Sequence, residues 1–266
     1  MEHWNASVPN MYVWEMLLDS NRTNAYIKYI KQHAKDKVIV DCGAGAGFFT
    51  WLSIKYGAKK VYSCEINFQS YNVLQNRFKD VNEIEVLNLD IFNDTLPIGD
   101  IYIHEIFGHC ALTEGIAFFL ANCEKQNISN VFPNNLKLIS CKIEHLQQRP
   151  VTLENFDSSD LDEDLLEFFK LSNKKINPDR YLYNSDYTIV KDSEEVIFDN
   201  NIFDILKFDF KPTGTHTYFK AGFDDEYYSS FAKKQNQWET QKQLTYPYLV
   251  YPAYARSILN RNLKTL

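Results

Sequence analysis

The stretch from Lys37 to Glu65, KVIVDCGAGAGFFTWLSIKYGAKKVYSCE, constrains the fold of this chain more than any other. Val38, Ile39 and Val40 make a short continuous apolar run, the pattern of a strand buried on both faces. Asp41 closes the run, and Gly43, Gly45 and Gly47 follow at alternate positions. Phe48, Phe49, Leu52, Ile54 and Tyr56 then read as a helix that Gly57 stops. A second apolar strand, from Val61 to Cys64, ends on Glu65. Strand, glycine turn, helix, strand and terminal acid together make one βαβ unit, the kind that holds a nucleoside-like cofactor at its switch point.

The glycines narrow the cofactor. A dinucleotide turn requires Gly-x-Gly-x-x-Gly, its last glycine allowing close packing of helix on strand. Here that position is Phe48, and the third glycine falls one residue early, at Gly47. The pattern D-x-G-x-G-x-G from Asp41 to Gly47, with Glu65 closing the next strand, fits S-adenosylmethionine (SAM) better. The turn passes the methionine moiety, and Glu65 accepts both ribose hydroxyls. A glycine-rich turn without a ligand is the structural alternative.

The rest of the chain sets the frame. Its 266 residues suffice for a large core and suit two modest domains. No apolar run approaches membrane-spanning length, and the start, MEHWNASVPN, contains no signal-peptide core. The five cysteines (Cys42, Cys64, Cys110, Cys123 and Cys141) form no CxxC and lie mostly in apolar runs. They read as buried thiols of a reducing compartment, so a cytoplasmic protein without a metal site or a membrane anchor is expected. A net charge of −7 argues against a nucleic-acid surface and favours cationic partners.

Met11 to Leu18 and Asn24 to His33 read as helices ahead of the first strand, the second with Thr23 as its N-cap. Phe68, Tyr71, Leu74 and Phe78 give 67–79 a helical face; Ile84 to Leu87 and Asp100 to His104 are further strands; 112–123 is helix-like. The expected fold class is α/β: a class I Rossmann-like domain over 1–132, then a smaller antiparallel β domain, a partial barrel, over 133–266. Inside the latter, 151–178 is acidic and helical, with Leu161, Leu165, Phe168 and Phe169 on one side and Ser159 as candidate cap.

The fourth strand runs into HEIFGHCALTEG, where Glu105 and Glu114 stand nine residues apart around Gly108. Glu105 leaves the sheet at the edge that carries the glycine turn, and a loop through Gly108 brings Glu114 opposite it. Two carboxylates suit a planar cation, because a guanidinium presents a rigid fork of donors. The plainer reading makes one of them a solvated acid in the first turn of a helix.

These residues resemble the protein arginine methyltransferases. The double-glutamate pattern E-x-x-G-x-x-x-x-x-E is matched by Glu105, Gly108 and Glu114, and M-L-x-D-x-x-R by Met16, Leu17, Asp19 and Arg22. GAKKVYSCE is similar to that family's second strand, VFPNNLKLISCKIE to its entry into the β domain, and NQWETQ to its threonine–histidine–tryptophan loop. The likeness covers roughly residues 12 to 145 well. It implies a SAM-dependent methyltransferase acting on arginine in a protein or peptide, or on free arginine. Arg22 would bind the cofactor's carboxylate, Asp90 and Ile91 its adenine, and Glu105 and Glu114 the substrate guanidinium. Met16 and Trp238 would border the substrate, and 151–178 would be the arm of a homodimer. Departures are Gln237 where the loop carries histidine, Val13 where a histidine is common, HWNAS in place of an aromatic N-terminal motif, and an early end to the β domain. Two rivals stand beside this reading: a methyltransferase for an amine or hydroxyl of a small metabolite, and a non-catalytic partner subunit of the same fold.

Overall fold

A computed structural model describes residues 11–107, 114–150, 158–159, 161–176, 182–190, 192–208, 214, 216–223, 226–228 and 240–245. They divide into two compact units. One is drawn from 1–105, 128–132 and 158–177, the other from 106–127, 133–157 and 178–266. The chain thus crosses between the units several times, and the helical segment after residue 158 packs with the first.

In the first unit, helices α1 (Met11–Met16) and α2 (Ser20–His33) precede strand β1 (Val38–Cys42). Helix α3 (Phe48–Lys55), strand β2 (Lys60–Cys64), helix α4 (Phe68–Phe78) and strands β3 (Ile84–Leu87), β4 (Ile101–His104) and β5 (Val131–Phe132) follow. The five strands form one parallel sheet in the order β3-β2-β1-β4-β5, so the order reverses beside β1. All strand C-termini therefore share one edge, and ligands of such sheets bind outside it, at the reversal. Ile39, Val40, Val61, Ile101 and Ile103 are buried in the sheet. Tyr26, Ile27 and Ile30 of α2 and Phe48 and Leu52 of α3 complete the core.

Local chemistry moves some boundaries from their expected places. Helix α2 begins at Ser20 rather than Asn24, because Asp19, not Thr23, is the cap and accepts from the Arg22 amide at 3.3 Å. Thr23 instead donates its hydroxyl to the Leu17 carbonyl at 2.9 Å, tying α2 back onto the preceding turn. Strand β1 continues through Asp41 to Cys42, since a buried hydrogen bond satisfies the acid. Helix α4 is capped by Asn67, whose side chain accepts from the amides of Gln69 and Ser70.

The helix expected within the acidic segment is α6 (Glu163–Leu171). Its cap is Asp162, accepting from the Asp164 amide at 2.9 Å, rather than Ser159. An acid at the cap also complements the positive end of the helix dipole. Leu165 lies buried one helical turn before Phe168 and Phe169, which are buried with it. Phe168 stacks on Trp14 of α1, with centroids 5.6 Å apart, and meets Phe48 edge-on at 5.1 Å. Lys31 and Lys55 clamp Asp164 from two sides at 2.7 and 2.6 Å, and Tyr56 donates to it at 2.8 Å. The apolar face of α6 thus closes on its own chain.

The second unit holds helix α5 (Ile116–Lys125) and two antiparallel sheets. One has the order β11-β10-β6-β9, from β6 (Asn135–Cys141), β9 (Glu195–Asn201), β10 (His216–Phe223) and β11 (Glu226–Tyr228). The other has the order β12-β8-β7, from β7 (Ile143–Pro150), β8 (Leu182–Ile189) and β12 (Thr240–Thr245). A 3-10 helix, Ile202–Lys207, follows β9 and buries Ile202 and Ile205. No described helix is long and apolar enough to cross a membrane.

Candidate active site

The glycine turn between β1 and α3 is the centre of the first unit's sheet edge. Gly43, Gly45 and Gly47 all take left-handed backbone, with φ of 88°, 53° and 79°. At Gly47 space forbids a side chain as well: a Cβ there would stand 2.7 Å from Leu74 Cδ2 and 3.0 Å from Phe78 Cε2 of α4. Gly47 therefore faces α4 at a distance that admits no side chain. The turn is tied to β2, the amides of Gly43 and Ala44 both donating to the Cys64 carbonyl, at 3.0 and 2.8 Å.

Glu65, at the end of β2, is held at both oxygens. Oε2 accepts from the Gly45 amide at 3.0 Å and Oε1 from the Asn67 amide at 2.7 Å. Asn88 fixes the backbone beneath it by donating to the Glu65 carbonyl at 2.8 Å. Burial pushes its carboxyl above the usual carboxylate range, while the amides of Asn67 and Gly45 pull the other way. A carboxylate oxygen has two lone-pair directions, so each still accepts one hydroxyl. An acid pinned beside a left-handed glycine turn fits the two ribose hydroxyls of a nucleoside cofactor.

Asp41 is differently used. Its carboxyl is buried, with Oδ2 2.6 Å from Thr50 Oγ1, which is itself 2.9 Å from Ser63 Oγ. Burial pushes it up to about 7, against the pull of Thr50 and with a push from the charge of Glu65. The carboxyl thus braces strand against helix under the turn.

Arg22 is buried at the N-terminal part of α2. One guanidinium nitrogen donates to the Met16 carbonyl, and Nη1 lies 3.3 Å from Glu105 Oε1. Tyr26, one helical turn on, donates to the His104 carbonyl at 2.7 Å and so fastens α2 to the end of β4 immediately before Glu105. Glu105 is half-buried and leaves the sheet beside β1. Two of the residues matched by family resemblance, Arg22 and Glu105, are therefore in contact, with half-buried Met16 tethered to the same guanidinium.

Asp90 and Ile91 follow β3. The Asp90 carboxylate accepts from the Phe92 amide and the Asn93 side chain, at 2.9 and 2.8 Å, closing a tight turn, and Ile91 is buried. Glu114 is exposed and belongs to the second unit. Gly108, Trp4, Gln237 and Trp238 lie outside the described residues.

The structure adds a residue that sequence reading passed over. Arg77 of α4 is buried, donates to the Ala46 carbonyl inside the glycine turn, and lies 5.6 Å from the ring centroids of Trp14 and of Phe168. Burial lowers its guanidinium to about 10, leaving it charged at neutral pH. Its spacing of three from Leu74 had placed it on the apolar face of the helix, which was the available signal.

No family model matches the chain. Curated relatives do. Protein arginine N-methyltransferase 1 of Caenorhabditis elegans is 28% identical over 158 residues, 54% of this chain and 45% of the relative. The Chlamydomonas reinhardtii protein of the same name is 29% identical over 156 residues, with the same shares. Protein arginine N-methyltransferase 8-B of Danio rerio is 34% identical over 110 residues, 38% of this chain and 26% of that one. The chain spans about half the length, or less, of the curated relatives it matches. Among solved structures, the PRMT1 enzyme–prozyme heterotetrameric complex of Trypanosoma brucei with AdoHcy aligns over 91% of this chain and 83% of its own, at a TM-score of 0.52 and 19% identity. Protein arginine methyltransferase 10 of Arabidopsis thaliana aligns over 91% and 84%, at 0.52 and 13% identity. At such identities the structural likeness establishes the fold: a parallel α/β sheet with a separate antiparallel β part.

Proposed function

We propose that the chain is a member of the protein arginine N-methyltransferase family, to whose proteins it is similar, and that it transfers a methyl group from SAM to a guanidino nitrogen of arginine in a protein or peptide. The observation that carries this reading is the place of Glu105. It leaves β4 at the sheet edge shared by the glycine turn and Glu65, and Arg22 holds its carboxylate. When bound, SAM supplies an electrophilic methyl; the protein's part is to hold and aim the nitrogen. Glu65 and the glycine turn would hold the nucleoside end. Arg22 orients Glu105, which would grip the guanidinium; the resemblance would give Glu114 the same role. Guanidinium is charged at all ordinary pH and its lone pairs are delocalised. Two carboxylates draw the positive charge onto the nitrogens they touch, which leaves the third more nucleophilic and offsets the repulsion of two cations.

The finer reading is a cytoplasmic homodimer. α6 already covers α1 and α3 of its own chain. An arm of this segment reaching a second copy would exchange these same contacts, and light scattering reads the resulting mass. A second functional reading, a non-catalytic partner subunit, is favoured by Gln237 standing where the resemblance expects a histidine. The deciding assay is transfer from methyl-labelled SAM to free arginine and to a Gly-Arg-rich peptide, side by side. Labelled peptide is expected. Label in free arginine alone would overturn the polypeptide substrate, and cofactor binding with no transfer to either would favour the partner subunit.

A further inference from the structure

Ala46 stands between Gly45 and Gly47, whose backbone can turn either way, so the shape of the cofactor turn depends on what its neighbours hold in place. The amides of Gly43 and Ala44 are bound to the Cys64 carbonyl of β2, and the Gly45 amide to Glu65. The Ala46–Gly47 peptide is held at both ends. Its amide, on Gly47, donates to the Ala44 carbonyl at 2.7 Å, and its carbonyl, on Ala46, accepts from the guanidinium of Arg77. Arg77 comes from α4, the helix whose Leu74 and Phe78 close on Gly47, so one helix fixes the turn by apolar contact and by a directed donor. Arg77 and Ala46 are both buried. The guanidinium carbon lies over the rings of Trp14 and Phe168, at 5.6 Å from each centroid, which seat it on the side away from solvent.

A buried cation is a poor source of stability, since an apolar side chain of similar volume in its place is often neutral or better. What a directed donor adds is a choice of conformation: without it the Ala46 carbonyl loses a buried partner, and the peptide between two glycines gains other orientations. We infer that Arg77 is a positioning residue for the cofactor, locking the Ala46–Gly47 peptide so that the turn keeps the shape in which Gly45 and Glu65 receive the nucleoside end. This role deepens the proposed function and rests on it for the identity of the cofactor. Affinity for the cofactor and stability of the fold should therefore part company at this residue.

The test compares the full chain with Arg77→Met and Arg77→Lys. Methionine keeps an unbranched stem that packs well on aromatic rings but offers no donor, whereas lysine restores donors. Melts of the ligand-free proteins are expected to place Arg77→Met level with the parent or above it. Calorimetric titration with SAM is expected to show Arg77→Met binding about tenfold more weakly, the effect of one buried acceptor left without its donor, and Arg77→Lys returning to within about threefold of the parent. In methyl transfer to the Gly-Arg-rich peptide, KM for SAM is expected to rise in Arg77→Met with kcat little changed. Hydrogen exchange of the ligand-free protein, followed by mass spectrometry, is expected to quicken in that variant over 42–49 and not in α2. Unchanged affinity for SAM in Arg77→Met would overturn the inference, as would a loss of affinity that only follows a general loss of stability and that lysine does not mend. Faster exchange confined to the turn, with SAM bound by neither parent nor variant, would support the hold of Arg77 on the turn and count against the proposed function alone.

Discussion

Asp41 illustrates how far a side chain's surroundings reassign its work. Read as part of the cofactor turn, it is turned inward, against Thr50 and Ser63. With its carboxyl raised to about 7, the folded state keeps a proton that the unfolded chain releases near pH 4. The contribution is therefore fully present below about pH 4 and lost as pH rises through about 7. Asp41→Asn, which keeps an acceptor for Thr50, should gain stability relative to the parent as pH rises over that window, read by urea denaturation at several pH values. The acid pair calls for a different readout. Glu105→Gln and Glu114→Gln should each lower turnover by orders of magnitude, since each removes a charge-assisted acceptor from the cation. Cofactor-induced thermal stabilisation should survive both, and full activity in the Glu114 variant would point to a small-metabolite substrate.

At the scale of the element, α6 shows an amphipathic helix fastened by two kinds of force. Phe168 fills a pocket between Trp14, Phe48 and Trp51. Truncating it to alanine should cost about 3–5 kcal/mol in denaturant melts, the usual range for a buried aromatic. The ionic side acts at the rim. Burial pushes Asp164 up, but hydrogen bonds from Lys31, Lys55 and Tyr56 prevail and hold the carboxyl down at about 2. Its folded value is depressed, so its contribution is present above about pH 4 and lost as pH falls through about 2. Asp164→Asn should therefore destabilise the chain at neutral pH and lose that effect in acid. A variant equally destabilised at pH 2 and pH 7 would refute the assignment.

For the molecule as a whole, the cofactor reading gives a direct expectation. SAM or its demethylated product should raise the melting temperature and NAD should not; a ligand at a hundred times its dissociation constant adds about 2.7 kcal/mol. Glu65→Ala should reduce the shift sharply, and stabilisation by NAD alone would refute the reading. The sequence determined the first unit's βαβ core because its signals are local: a doubly buried strand reads as an unbroken apolar run, and left-handed turns require glycine. It marked Glu65 and Glu105 as candidate site residues for the same reason, each standing directly after a strand. Contacts remote in sequence were decided only by the tertiary structure. Arg77 reaches the carbonyl of Ala46, Glu105 pairs with Arg22, and α6 belongs with the first unit although it lies between β7 and β8 of the second. No spacing encodes such pairings. They depend on which surfaces meet when the apolar faces are buried, and burial of a charge then forces it onto whichever partner stands within reach.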